Sequence, residues 1–357
     1  MSQADKDLSL IPAPVNEAHG EAKYTERRWQ GIPGIECAAN GRLWAAFYSG
    51  GDNEGPDNFV ALVTSMDDGR TWSDIRYVVD PPGEVRAYDP CLWHDPSGKL
   101  WLFWAQCYTW YDGRCGVWAA VCSDSGSANP VWSEPRRIAD GIMMNKPTVL
   151  AGGQWLLPTA VWACNDSELN RLPDERFSNV LLSADNGASF EKIGCADIPN
   201  RHFDEHMLIE RNDGSLWMLV RAFYGIGESE SFDGGRTWSA GKQSSLGGPS
   251  SRFFIRRLQS ERLLLVNHYQ FRGRSHLTAM LSDDDGRSWH GKLVLDPRSD
   301  VSYPDGAQSA DGRIYIIYDR ERTQAKEILM AVFTEEDVLA GGCVTEHARL
   351  QVIVNKA

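Results

Sequence analysis

A six-bladed β-propeller is the fold the sequence predicts, and three observations predict it. A short box recurs about every 50 residues, turn signals precede short alternating apolar runs, and no segment carries the apolar period of a long helix. At 357 residues the chain exceeds what one simple core accommodates, so repetition or several domains are required. No composition shift marks a linker. The propeller is read as a single domain over residues 1–357, with blades at about 28–80, 81–140, 141–197, 198–245, 246–298 and 299–350.

The box has the form S-x-D-x-G-x-[TS]-[WF] and is complete at residues 65–72, 183–190, 231–238 and 282–289. Ser and Asp bond the local backbone of a tight turn, Gly takes the left-handed conformation, and the aromatic folds back as a plug. The boxes are therefore expected in outer hairpin turns, away from any site. Their first residues lie 118, 48 and 51 apart. A degenerate copy, Ser123-Asp124-Ser125-Gly126 with Trp132, divides the long gap into 58 and 60, and Phe333 falls 51 after Ser282. Six units result, each large enough for four strands. Glu335 to Leu339 reads as one helical turn.

Within the units, a turn precedes each apolar run: Asn40-Gly41, Ser97-Gly98, Gly152-Gly153, Asp213-Gly214 and Asp311-Gly312. These are hairpin signatures. The 14 Trp lie mostly in alternating runs such as Leu100-Trp101-Leu102-Phe103-Trp104, which favours strands.

Lys and Arg total 36 against 49 Asp and Glu, a net charge of -13, which argues against nucleic acid and anionic membranes as partners. Cys37, Cys91, Cys107, Cys115, Cys122, Cys164, Cys195 and Cys343 form no CxxC pair and no zinc spacing, and read as buried thiols. The acidic boxes lack the alternating ligands of a calcium loop, so no metal and no cofactor are implied. The first ten residues are polar, and no apolar run approaches ~20 residues. The chain as given reads as cytoplasmic.

The boxes are similar to the Asp boxes of sialidases, and the segments between them resemble the bacterial sialidase-like family over about residues 28–340. The run from Glu205 to Arg221 resembles the segment in which a Glu precedes a hairpin and an Arg closes it. The resemblance implies that Glu205 deprotonates a tyrosine nucleophile and that Arg221 holds a substrate carboxylate. Arg274, eight residues before Ser282, takes the place of a second such arginine, and Ser302-Tyr303 that of the nucleophile.

Elementary chemistry agrees with this set. A phenol of pKa near ~10 attacks carbon only after a carboxylate removes its proton, and a neutral nucleophile avoids the repulsion a carboxylate nucleophile meets from an acidic sugar. The general acid is expected in the loop 48–58, with Asp52 the better match and Asp57 the reserve. Arg86 and Asp89, in a second-blade segment ending Asp89-Pro90, are expected to contact substrate. So are Asn145, Lys146, His206 and Arg252, which stand at the starts of inner strands.

One position departs from the pattern. The family's first arginine stands in an Arg-Ile-Pro motif, and this chain reads Gly31-Ile32-Pro33. The set of three arginines is thereby broken, unless Arg86, Lys146 or Arg252 supplies the charge from another blade. Loss of a desolvated ion pair costs ~2–5 kcal/mol, so activity on ordinary N-acetylneuraminyl substrates is expected to be weak.

The resulting reading is an exo-acting, retaining glycoside hydrolase on a terminal, unusual acidic sugar of an oligosaccharide or glycoconjugate. Two other functions use the same residues. One is a carbohydrate-binding propeller without turnover. The other is a polysaccharide lyase in which Tyr303 or His206 removes a proton beside a uronate carboxyl neutralised by Arg221.

Overall fold

The computed structural model describes residues 7–108, 115–162 and 172–357; Cys164 lies outside them. Six antiparallel sheets, each a four-stranded meander in sequence order, form the ring. Their innermost strands are Gln30–Cys37, Val85–His94, Thr148–Val149, Arg201–Glu210, Phe254–Arg257 and Val301–Gln308. An additional strand, Val15–Glu17, pairs with Tyr77–Val79 at the outer edge of blade 1. No sequence signal announced it.

Five of the six inner hairpins turn at the predicted Gly, each with φ between 81° and 87°. Blade 5 uses Glu261 at φ 68° instead, which is why its turn carries no glycine signature. The four boxes lie between the third and fourth strands. In the box at 282–289, Ser282 Oγ accepts from Gly286 N at 2.9 Å, while Asp284 accepts from Ser288 N at 2.8 Å and Ser288 Oγ at 2.6 Å. The Gly is needed for approach as well as for its dihedral: a Cβ on Gly286 would stand 2.5 Å from the Trp217 ring of the preceding blade. The chain after the sixth blade's third strand forms the short helix Glu335–Ala340, with a capping box between Thr334 and Asp337.

Blade 6 consists wholly of C-terminal strands, so no strand is exchanged to close the ring. Closure rests on packing and on polar contacts between blades 1 and 6. Phe47, Val63 and Ile35 share one buried cluster with Ile317, Met330 and Val332. Asp68, an intervening residue of the first box, accepts from Tyr315 Oη at 2.6 Å and pairs with Arg313 at 2.9 Å and Arg349 at 2.8 Å, all from blade 6. At the pocket end, Gln30 N donates to Arg322 O at 3.2 Å.

Asp68→Asn keeps the turn but removes the charge facing two blade-6 arginines. It is expected to lower unfolding free energy by about 1–3 kcal/mol, read as a shift in denaturant midpoint at unchanged slope.

Candidate active site

Four inner strands carry a break in register where they begin, between Gly31 and Gly34, Tyr88 and Cys91, Asp204 and Met207, and Ser302 and Asp305. Each break holds a residue with positive φ: Ile32 (55°), Asp89 (49°), Glu205 (46°) and Tyr303 (57°). In three of them the next residue is Pro33, Pro90 or Pro304, which has no N–H to lose from the broken ladder. Such backbone costs on the order of 1–3 kcal/mol per residue. The result is that one side chain per strand enters the mouth of the central channel.

There a cavity of about 180 Å³ is lined by Glu54, Arg86, Asp89, Glu205, Arg221, Arg274, Tyr303 and Arg322, with Ile32, Tyr48, Tyr88, Met144, Trp162 and Phe203 as its less polar wall. Tyr303 Oη donates to Glu205 Oε1 at 2.7 Å. Arg221 Nη1 donates to the same oxygen at 2.5 Å and to Tyr303 Oη at 2.8 Å, and its Nε reaches Ser250 Oγ at 3.2 Å. Burial raises the Tyr303 pKa, as does the Glu205 charge, while Arg221, Arg274 and Arg322 pull it back. Two further guanidiniums stand over the Tyr303 ring, Arg322 at 4.4 Å and Arg274 at 5.4 Å from its centroid.

On the blade-2 side, Arg86 stacks 3.8 Å from the Tyr88 ring centre and 5.5 Å from that of Tyr48. Asp89 is buried, and burial followed by the Glu54 charge holds its pKa well above the carboxylate range, against the pull of Arg86. Its Oδ1 and the Oε2 of Glu205 are buried without a hydrogen-bond partner among the described residues.

Other expected residues fall elsewhere. Asp52 is two-thirds exposed and pairs with Arg28 at 2.7 Å, outside the cavity. The loop folds on Asn58, whose Nδ2 donates to Gly50 O at 2.9 Å and Asn53 O at 3.0 Å, and this fold directs Glu54 inward instead. Glu54 Oε1 accepts from Tyr48 Oη at 2.9 Å and faces Arg322 Nη1 at 3.4 Å. Asp57 also lies outside the cavity lining.

Lys146, Arg252 and Asn145 belong to a plug one step down the channel. Lys146 Nζ pairs with Glu36 at 2.8 Å and Asp305 at 3.2 Å and donates to Ile35 O and Leu92 O. Arg252 donates to Asn145 Oδ1 at 2.7 Å and Met144 O at 2.8 Å and reaches Asp305 at 3.4 Å. Asn145 Nδ2 donates to the carbonyls of Glu205 and His206. His206 Nε2 lies 2.8 Å from Asn179 O, and burial lowers its pKa to about 4, so it is a neutral core residue. These four do not line the cavity.

Of the three residues suggested for the missing arginine, Arg86 lines the cavity, whereas Lys146 and Arg252 sit in the plug below it. The space over Gly31 holds Arg322 of blade 6: a Cβ added to Gly31 would stand 2.7 Å from Arg322 Cδ and 2.8 Å from its Nε. Arg322 Nε donates to Asp319 Oδ2 at 2.9 Å, and Asp319 is itself held by Ile32 N and Ser302 Oγ. Arg322 was not among the residues expected from the sequence; it lies in the turn after the strand that ends at Arg320, and Arg320 pairs with Glu321 and Glu327.

Lys146→Met leaves Glu36 and Asp305 buried with one cation fewer. A loss of about 3–5 kcal/mol in unfolding free energy is expected, measured by chemical denaturation; a Lys146 that served substrate alone would leave stability unchanged.

The BNR repeat-like domain matches residues 41–316. No curated protein matches. Among solved structures, a Hadza microbial sialidase, Hz136, superposes with a TM-score of 0.69 at 18% identity over 87% of this chain and 66% of that one, so the chain spans just under two thirds of its length. The NanB sialidase of Streptococcus pneumoniae gives 0.65 at 12% identity over 88% of this chain and 68% of that one. The intramolecular trans-sialidase of Ruminococcus gnavus gives 0.65 at 14%, covering 92% and 98%. At these identities the likeness establishes the fold. With the family match across most of its length and six blades in a ring, four of them carrying a complete Asp box, the chain belongs to the BNR repeat-like family and is a sialidase-like six-bladed propeller.

Proposed function

We propose that the protein is an exo-acting glycoside hydrolase that works with retention, through a glycosyl intermediate on Tyr303. The observation that carries this reading is the Tyr303 hydroxyl held 2.7 Å from Glu205, with Arg221 Nη1 on both, at the end of a blind pocket. A pocket plugged from below admits a chain end rather than a chain interior, which supports exo action. A buried phenol is not ionised in the resting site. Its proton passes to Glu205 as the phenol oxygen bonds the anomeric carbon, and Arg221 keeps a donor on the oxygen as charge develops.

The glycosidic C–O bond breaks in the same step, and the leaving oxygen needs a proton. Asp89 is the acid in this reading, because burial and Glu54 keep it protonated. In the second step the Asp89 carboxylate takes a proton from water, the hydroxide attacks the anomeric carbon, and Tyr303 leaves and recovers its proton from Glu205. Atoms balance as hydrolysis: one water is consumed and both carboxyls return to their starting states.

The lyase alternative loses its second base, since His206 faces Asn179 O. A terminal acidic sugar is the substrate class proposed, as the guanidiniums around Tyr303 favour an anionic group beside the reacting carbon.

Tyr303→Phe is expected to reduce kcat/KM by roughly 10³-fold or more with the fold intact; near-normal turnover would dismiss the nucleophile. Asp89→Asn should slow poor leaving groups about 10²–10⁴-fold, slow an activated aryl glycoside far less, and abolish the alkaline limb of the pH profile. Asp52→Asn should change neither.

A further inference from the structure

We propose that the lower end of the central channel, beyond the plug from the Tyr303 pocket, is a second ligand site, in which Arg256 receives the carboxylate of a small acid with an apolar body. The proposal is independent of the glycosidase reading, because the buried plug separates the two ends of the channel.

The inner strands run through the channel in one direction. Blade 1 places Ile32 at the Tyr303 pocket, Ile35 O on Lys146, and Glu36 at both the plug and the cavity below it. Blade 6 places Tyr303, Asp305 and Gln308 in the same order. Two cavities lie beneath the plug. One, of about 220 Å³, is lined from blades 3, 4 and 5 and includes Lys146, Val149, Met207, Ile209 and Ile255. The other, of about 200 Å³, is lined from blades 5, 6, 1 and 2 and includes Glu36, His94, Leu264 and Gln308. Phe254, Arg256 and Arg257 line both. Phe254 and Arg256 stand two apart on the strand Phe254–Arg257, so they share one face of it.

The charged groups around these cavities are engaged, with one exception among the described residues. Glu36 accepts from Lys146 Nζ at 2.8 Å and lies 3.0 Å from His94 Nδ1, whose Nε2 is 2.9 Å from Ser125 Oγ. Arg257 donates to Glu210 O and Glu261 O and pairs with Asp285 at 2.6 Å. The Glu210 carboxylate accepts from Ala151 N at 2.6 Å. The exception is Arg256, which is partly buried and makes no side-chain hydrogen bond or ion pair among the described residues.

A guanidinium pairs a carboxylate through two parallel N–H···O bonds, and it gains more from them beside apolar walls than in open water. The walls define the rest of the ligand. Val149, Met207, Ile209, Phe254 and Ile255 offer apolar surface. The charged groups nearby already have partners, so a body rich in hydroxyls would be buried with too few of its own. A small cycloalkyl or aryl carboxylate fits this set, and a sugar acid does not. Glu210 opposes the binding, since its charge lines the same cavity as Arg256.

The test titrates full-length protein by calorimetry with cyclohexanecarboxylate and with cyclohexanecarboxamide. The carboxylate should bind a single site at least about 10-fold tighter than the amide. Arg256→Gln should erase that preference, Arg256→Lys should keep part of it, and Glu210→Gln should enlarge it. Arg322→Met, which changes only the Tyr303 pocket, should leave it in place. Arg256 has no partner to lose among the described residues, so Arg256→Gln should keep the parent's denaturant midpoint and its loss of binding is not a loss of fold. Glucuronate should fail to displace cyclohexanecarboxylate. Equal binding of acid and amide, a preference that survives Arg256→Gln, or one that disappears with Arg322→Met overturns the site, and displacement by glucuronate at comparable concentration overturns the apolar body assigned to its ligand.

Discussion

A buried ionic plug on the propeller axis is the contact on which the rest of the molecule depends. Lys146 and Arg252 face Glu36 and Asp305, so two cations meet two carboxylates with almost no water. The remaining donors of the two cations go to main-chain carbonyls, Pro33 and Ile35 of blade 1, Leu92 of blade 2 and Met144 of blade 3, while Asn145, which accepts from Arg252, donates to the carbonyls of Glu205 and His206 of blade 4. All six inner strands or their leading segments thus enter one network. A ring with no exchanged strand has no covalent or β-ladder closure, and an axial knot ties each blade to the others at the point where they converge. Burying four charges costs several kcal/mol per ion unless each is fully partnered. The plug therefore tolerates one relative placement of the blades, and it fixes the floor of the pocket.

The pocket follows from that floor. An inner strand in regular alternation would point every second residue at the axis and give six equivalent walls. Register breaks at Ile32, Asp89, Glu205 and Tyr303 interrupt the alternation just above the plug. Pairing resumes below each break, as at Gly34, Cys91, Met207 and Asp305, so strain at the mouth is held by ladders and by the ion network beneath. Asp305 illustrates the coupling. It is two residues after Tyr303, it accepts from Ile35 N at 2.9 Å, and it faces both buried cations. The Tyr303 backbone is fixed from below by a residue outside the cavity lining.

Much of the fold was legible in the sequence because the repeated parts are local. A tight turn demands Gly at one place, and the box demands Ser, Asp and Gly at fixed offsets, so 50-residue spacing reads out the blades. Glu205, Arg221 and Tyr303 were legible through resemblance, since each lies in a segment whose backbone is set by its own blade. Glu54 was not. The loop offers Asp52, Glu54 and Asp57, and which one turns inward depends on the bonds Asn58 makes to Gly50 and Asn53. Lys146 and Arg252 misled for a related reason: a charged residue starting an inner strand reaches the axis, but the sequence does not say whether at the pocket or at the plug. The shared Ile32-Pro33, Asp89-Pro90 and Tyr303-Pro304 pairs were the available signal for the strand breaks.

The packing of Arg322 over Gly31 shows why residue-by-residue comparison has limited reach in this architecture. Inner strands of neighbouring blades approach one channel from all sides, so a point in the pocket is accessible from at least two blades. At position 31 any side chain would run into Arg322, which is anchored by its own carboxylate, Asp319; Asp319 also accepts from Ile32 N beside the glycine. Asp319 therefore ties the blade-1 strand to the blade-6 side chain. The absence of an arginine at position 31 is consequently a statement about blade 1 alone, because a guanidinium, that of Arg322, lines the pocket from blade 6.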